Sequence, residues 1–201
     1  MAESLNTIEP SLLYTAVLTC HPDTSNHAVR SIDVRVCWHH EGTLALTYTL
    51  TGNCTRLQIP ASRSPARAND LWRHTCFEAF ISIQGDLAYQ EWNFSPAGEW
   101  AVYHFRSYRD RLPLRDDEPA PALRVHNTKN RLDLDARICL LHRLTLQPLQ
   151  LALSAVIEDD RGTLSYWALK HPPGKPDFHH PDAFILEVAS LNGAVIGKEP
   201  Q

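Results

Sequence analysis

Alternation is the feature that most constrains this chain. Ile32, Val34, Val36 and Trp38 stand at every second position, with Asp33, Arg35 and Cys37 between them. Leu44, Leu46, Tyr48 and Leu50 interleave with Thr43, Thr47, Thr49 and Thr51. The scheme recurs in Leu132, Leu134, Ala136 and Ile138, set among Asp133, Asp135 and Arg137, and again in Leu149, Leu151, Leu153, Ala155 and Ile157. A period of two sends successive side chains to opposite sides of an extended chain, whereas a helix needs a period near 3.6. Each apolar set therefore lines one face of a strand, and strands packed on one face only are antiparallel.

Further strands are predicted at Leu13–Leu18, Thr75–Ile83, Ala88–Phe94, Trp100–Tyr108, Ala122–Asn127, Thr163–Leu169 and Ala183–Val188. Turn-forming residues separate several of them, including Gln84-Gly85-Asp86, Pro96-Ala97-Gly98 and Asp159-Asp160-Arg161-Gly162. About eleven strands without a long helix predict an all-β fold, a two-sheet antiparallel β-sandwich of jelly-roll type. Three stretches interrupt the pattern, Ile59–Leu71, Leu112–Pro121 and His171–Pro181. Such loops, held on a rigid scaffold, are where function usually sits. The charges of Leu112–Pro121 read as a solvated, proline-rich surface.

The chain has 201 residues, a length that suits one domain over 1–201, with ragged ends expected near 1–10 and 191–201. At 43% hydrophobic it can fill a core, and its formal net charge of −4 argues against a general nucleic-acid binder. No apolar run approaches the ~18 residues of a membrane span. The opening MAESLNTIEPSLL lacks the basic and apolar regions of a secretory signal. Cys20, Cys37, Cys54, Cys76 and Cys139 form an odd, scattered set with no CxxC pair, which suits buried or idle thiols. A cytoplasmic setting is the expectation.

Two segments carry a resemblance. Asp70-Leu71-Trp72-Arg73-His74-Thr75-Cys76-Phe77-Glu78-Ala79-Phe80 and the stretch from His171-Pro172-Pro173-Gly174-Lys175 through His179-His180-Pro181-Asp182-Ala183-Phe184 look like signatures of bacterial DOMON-like proteins. Trp92-Asn93-Phe94-Ser95-Pro96-Ala97-Gly98-Glu99-Trp100 is similar to that family's middle segment. The resemblance implies a β-sandwich related to family-nine carbohydrate-binding modules, a group whose members bind sugars or haem on one face.

Read residue by residue, the strand around Glu78 places Phe77, Ala79, Ile81 and Ile83 toward the core and His74, Cys76, Glu78 and Phe80 outward or into a cleft. A sugar site needs hydrogen-bonding groups for hydroxyls and a flat ring for the apolar sugar face, which Glu78, His74 and Trp72 would supply. Glu91 and Asn93 share one side of the next strand. On the one after it, Trp100 is a candidate stacking ring, and Arg106 a partner for an acidic group. Lys175, Asp177, His179 and His180 sit in the proline-stiffened segment, where stiffness lowers the entropy lost on gripping a ligand. Because the residue before Pro181 is pushed to extended geometry, His179 and His180 should diverge.

The function expected is non-catalytic binding of a sugar or sugar-derived small molecule, with no cofactor. Three alternatives stay open. A haem- or metal-binding module would draw on the eleven His, although the lone Met1 argues against Met–His haem ligation. An enzyme acting on glycosides would use Glu78 and Glu91. A protein-interaction domain would dock a partner by a sheet edge or loop face.

Overall fold

The computed structural model describes residues 12–25, 27–39, 42–115, 117–140 and 142–190. Both expected ragged ends therefore lie outside the described residues. The fold is all-β. Its strands in chain order are β1 (Leu12–Cys20), β2 (Val29–Trp38), β3 (Thr43–Gly52), β4 (Ala66–Arg67), β5 (Cys76–Ile83) and β6 (Tyr89–Phe94), then β7 (Glu99–Phe105), β8 (Ala122–Asn127), β9 (Arg131–Cys139), β10 (Leu149–Glu158), β11 (Leu164–Ala168) and β12 (Leu186–Val188). The one described α-helix is a single turn at His142–Thr145. No helix among the described residues is long and apolar enough to cross a membrane.

Hydrogen bonding joins the strands in the order β4-β7-β6-β5-β10-β11-β1-β2-β3-β9-β8, with β12 added on β10. All neighbours are antiparallel except the short β4, which runs parallel to β7. The sequence reading has two separate sheets; here β1 connects both halves. Its Leu12–Leu18 portion pairs with β2, while Thr19 and Cys20 pair with Ala168 and Trp167 of β11. The result is one curled, half-barrel sheet.

The curl brings β3 opposite β5, although the two are far apart in pairing order. Tyr48 donates its hydroxyl to the Glu78 carbonyl oxygen at 2.7 Å, and its ring lies 5.1 Å from that of Phe77. The alternating apolar sets fill the concave side: Ile32, Val36, Trp38, Leu44, Tyr48, Leu50, Leu132 and Leu134 are fully buried there. Each such side chain contributes about 1.5–3 kcal/mol through loss of contact with water. The polar sets face outward and pair across the ladder, Thr47 donating to Asp135 at 2.6 Å and Thr49 to Asp133 at 2.8 Å.

On β5, β6 and β7 both faces are covered. Phe77, Ala79, Ile81, Trp92, Phe94, Trp100 and Val102 belong to the main core. Phe80, Tyr89, Ala101, Tyr103 and Phe105 form a second apolar cluster on the opposite face, with Phe178 and Phe184 packed against it. Those two phenylalanines come from the segment 171–184, which covers this second face.

Candidate functional site

Register decides which polar side chains meet on that second face. Phe80 of β5 stands opposite Glu91 of β6, and Glu91 opposite Tyr103 of β7. One row along, Ser154 of β10 pairs with Glu78, Glu78 with Asn93, and Asn93 with Ala101. Glu78 and Glu91 are therefore diagonal neighbours on adjacent strands, close enough to sense each other's charge.

They open into a cleft of about 530 Å³ whose lining includes Glu78, Glu91, Arg109, Arg111, Lys175 and His179. Aromatic walls come from Trp72, Phe80, Tyr103, Phe105, Tyr166 and Phe178. Glu78 and His179, 101 positions apart in sequence, thus share one hollow.

The carboxyl groups are almost wholly enclosed, Glu78 at 2% exposure and Glu91 at 5%. Glu78 accepts from the Ser154 hydroxyl at 3.3 Å through Oε2, while Oε1 is enclosed without a hydrogen-bond partner. Burial, helped by the neighbouring Glu91 charge, pushes the Glu78 carboxyl well above the usual carboxylate range. Burial also raises Glu91, but an Asn93 hydrogen bond and the Arg111 and Arg109 charges oppose it. Asn93 is fully buried beneath this floor. Its Nδ2 donates to Glu91 Oε1 at 2.7 Å, and its Oδ1 receives the Cys76 thiol at 3.4 Å. Asn93 thus orients a carboxyl rather than reaching the cleft, and burial pushes the Cys76 thiol up.

The roof is locked by Asp177. It accepts from the Tyr108 hydroxyl at 2.6 Å, the Arg109 guanidinium at 2.8 Å and the His179 backbone N–H at 3.1 Å. Burial alone would raise its carboxyl; these bonds more than offset that and hold it low. Arg109 adopts a left-handed φ of 56°, which costs a side-chain-bearing residue about 1–2 kcal/mol. Its backbone N–H donates to the Tyr89 hydroxyl at 3.1 Å, and its ion pair with Asp177 ties the turn to the roof.

His179 and His180 do diverge. His179 Nδ1 lies 2.9 Å from the Tyr89 hydroxyl, and Nε2 lies 3.6 Å from Glu91 Oε2. Burial, reinforced by the Arg109 charge, lowers its pKa to about 4, so near neutral pH it is an uncharged imidazole between two polar groups. His180 turns away and accepts from Asp182 N–H at 3.1 Å, capping the short turn Pro181–Ala183. No group of three or more His, Cys, Asp or Glu side chains suited to a metal ion occurs among the described residues.

Of the sequence candidates, the structure brings Trp72, Glu78, Glu91, Lys175 and His179 into the cleft lining. Asn93 and Asp177 support it from behind. Four expectations are corrected. The first is His180, which caps the turn Pro181–Ala183 and does not line the cleft. His74 follows the short turn Leu71–Arg73 and precedes β5, so it escapes the strand's register and pairs with Glu158 at 2.7 Å on the exposed surface. Trp100 lies on the core side of β7, 6% exposed and stacked at 6.3 Å on Trp92. Arg106 lies past the end of β7, where the chain turns, and pairs with Asp110.

Sequence reasoning missed Tyr103 and Phe105 by choosing the other side of β7. It also missed Arg109 and Arg111. The available signal was strand parity: once Glu91 faces the site, a hairpin register pairing odd with odd positions puts Tyr103 and Phe105 beside it.

No protein-family model matches the chain, and no curated protein does. Among solved structures it is similar to a Bacteroides uniformis protein described as "a putative carbohydrate-binding protein", with a TM-score of 0.64 and 14% identity. The likeness covers 86% of this chain and 84% of the other. It places the fold among all-β proteins of that shape.

Proposed function

We propose that this chain is a non-catalytic binding domain for a sugar or a sugar-derived small molecule, which it holds in the cleft between β5–β7 and the segment 171–184. The observation that carries this is a cleft combining aromatic walls with a buried carboxyl whose Oε1 has no partner. Rings cover the apolar face of a sugar, and a carboxyl anchors its hydroxyls. An unpartnered, buried polar oxygen is costly to a fold, by about 1–3 kcal/mol, and a ligand hydroxyl would satisfy it. The description of the Bacteroides uniformis neighbour is compatible with this reading. On the motifs at 70–80, 92–100 and 171–184 we further assign the chain to a DOMON-like group related to family-nine carbohydrate-binding modules. We regard its curled sheet as a variant of that group's sandwich, and the chain as one cytoplasmic domain.

A glycoside-acting enzyme built on Glu78 and Glu91 is the second reading, because the register makes the two carboxyls diagonal neighbours on one sheet face. Turnover of chromogenic glycosides by the wild type, and its loss in Glu78→Gln, would favour it over binding.

The test is thermal unfolding against a broad glycan panel. A true ligand stabilises by RT ln(1 + [L]/Kd), about 2.7 kcal/mol at a hundredfold excess over Kd. The shift should shrink in Glu78→Ala. A panel without any shift, with wild type and variant indistinguishable, removes the reading.

A further inference from the structure

The charges around the cleft narrow the ligand class, in an inference that rests on the sugar-binding reading above. The chain as a whole is acidic, at −4, yet its cleft gathers Arg109, Arg111 and Lys175. Arg109 is committed to Asp177. Among the described residues, neither Arg111 nor Lys175 has a carboxylate within ion-pair distance. The Arg111 guanidinium lies 4.0 Å from the centre of the Tyr103 ring. Cation and ring hold each other, and the guanidinium N–H groups, with no carboxylate of the described residues in ion-pair distance, can receive a carboxylate or phosphate of a ligand. Arg111 and Lys175 are exposed at the mouth, whereas Glu78 is buried at the floor.

The cleft is therefore polarised along its depth. At the bottom, burial keeps Glu78 toward its protonated form, a neutral hydrogen-bonding group that does not repel an anion. The imidazole of His179 is likewise neutral near pH 7. On the floor, Glu91 feels the charges of Arg111 and Arg109, and one of its oxygens is already taken by Asn93. At the mouth stand Arg111, seated on the Tyr103 ring, and Lys175, neither in an ion pair with a carboxylate of the described residues.

We infer that the cleft takes an anionic sugar, its hydroxyl-bearing ring against Glu78 and the aromatic walls and its acidic group, a carboxylate or a phosphate, between Arg111 and Lys175. A neutral sugar would leave both cations without an anionic partner on the ligand.

Calorimetric titration of the full chain tests this with matched sets: glucose, galactose and N-acetylglucosamine, as mono- and disaccharides, against the corresponding uronates and 6-phosphates. At about 20 mM salt, one anionic member should bind roughly tenfold or more tighter than its neutral counterpart, as expected for one charge-assisted pair. The advantage should fade with added salt. It should also vanish in Arg111→Gln/Lys175→Gln, in which the anionic and neutral members of each set should bind alike. Both positions are exposed, and an unchanged melting temperature shows that the double variant folds. The uronate and phosphate arms identify which acid is carried. Equal or tighter binding of the neutral sugar overturns the inference and leaves the sugar-binding reading intact. Failure of every member, neutral and anionic, overturns both.

Discussion

Strands β5, β6 and β7 have two faces built from the same alternation but with different contents. On the core face, Phe77, Ala79, Ile81, Phe94 and Val102 bury apolar surface, and the indole N–H of Trp92 is satisfied by Gln90. On the cleft face the same strands carry Glu78, Phe80, Glu91 and Tyr103, so carboxyls and rings share a row. Both faces are shielded from water, yet among the described side chains of these three strands the buried polar atom left without a partner, Glu78 Oε1, lies on the second. The first face supplies stability. The second gives some of it up to hold charged and aromatic groups in fixed positions on rigid strands, an arrangement expected where a ligand completes the structure.

Substitutions on either side break or sharpen that contrast. The largest effect should come from the core face. Trp92→Ala, in a fully packed site, should cost about 3–5 kcal/mol in urea unfolding. A loss below 1 kcal/mol would mean the core is not where the fold is held.

Next is the pH response of His179. In the fold its pKa is lowered from 6.5 to about 4, so between those values the unfolded chain binds more protons and stability falls on acidification. This should amount to on the order of 3 kcal/mol. In His179→Asn that contribution is absent, and melting curves of wild type and variant should converge as pH drops from 7 to 4.

Glu78 acts in the opposite sense. Its folded carboxyl keeps a proton that the unfolded chain has lost above its ordinary value of 4.5, so the wild type loses stability as pH rises through that range. Glu78→Gln has no such titration, and its stability relative to wild type should grow from pH 4.5 towards 7. A difference that stays flat with pH would place Glu78 in contact with solvent.

The smallest effect belongs to the roof. Asp177→Asn breaks a half-exposed ion pair with Arg109 and should cost about 1 kcal/mol or less. Amide exchange over residues 171–184 should nevertheless quicken, since Asp177 also holds Tyr108 and the His179 backbone.

Much of this contrast was legible from the chain. Alternation placed Glu78 on one side of β5 and Phe77 on the other, and put Glu91 and Asn93 together on β6. The proline after His180 foretold that the two imidazoles would part. What local pattern could not supply was pairing between distant segments. The continuity of the curled sheet rests on two residues, Thr19 and Cys20, that leave β2 for β11. The side of β7 facing the cleft follows from hairpin register, which places Tyr103 opposite Glu91. Arg109 and Arg111 reach the cleft because the chain doubles back after β7, with Arg111 bridging to Phe105 and Arg109 in a left-handed turn. A charged stretch with no periodicity gives no hint of that return.

The most direct test is a crystal of the full chain soaked with a mixture of neutral and acidic sugars. A ring bound between Glu78 and His179, with a hydroxyl on Glu78 Oε1 and an aromatic wall against its apolar face, is the predicted result. Sugar density confined to the outer threonine-rich face of β2 and β3, with the cleft holding only solvent, would contradict the account.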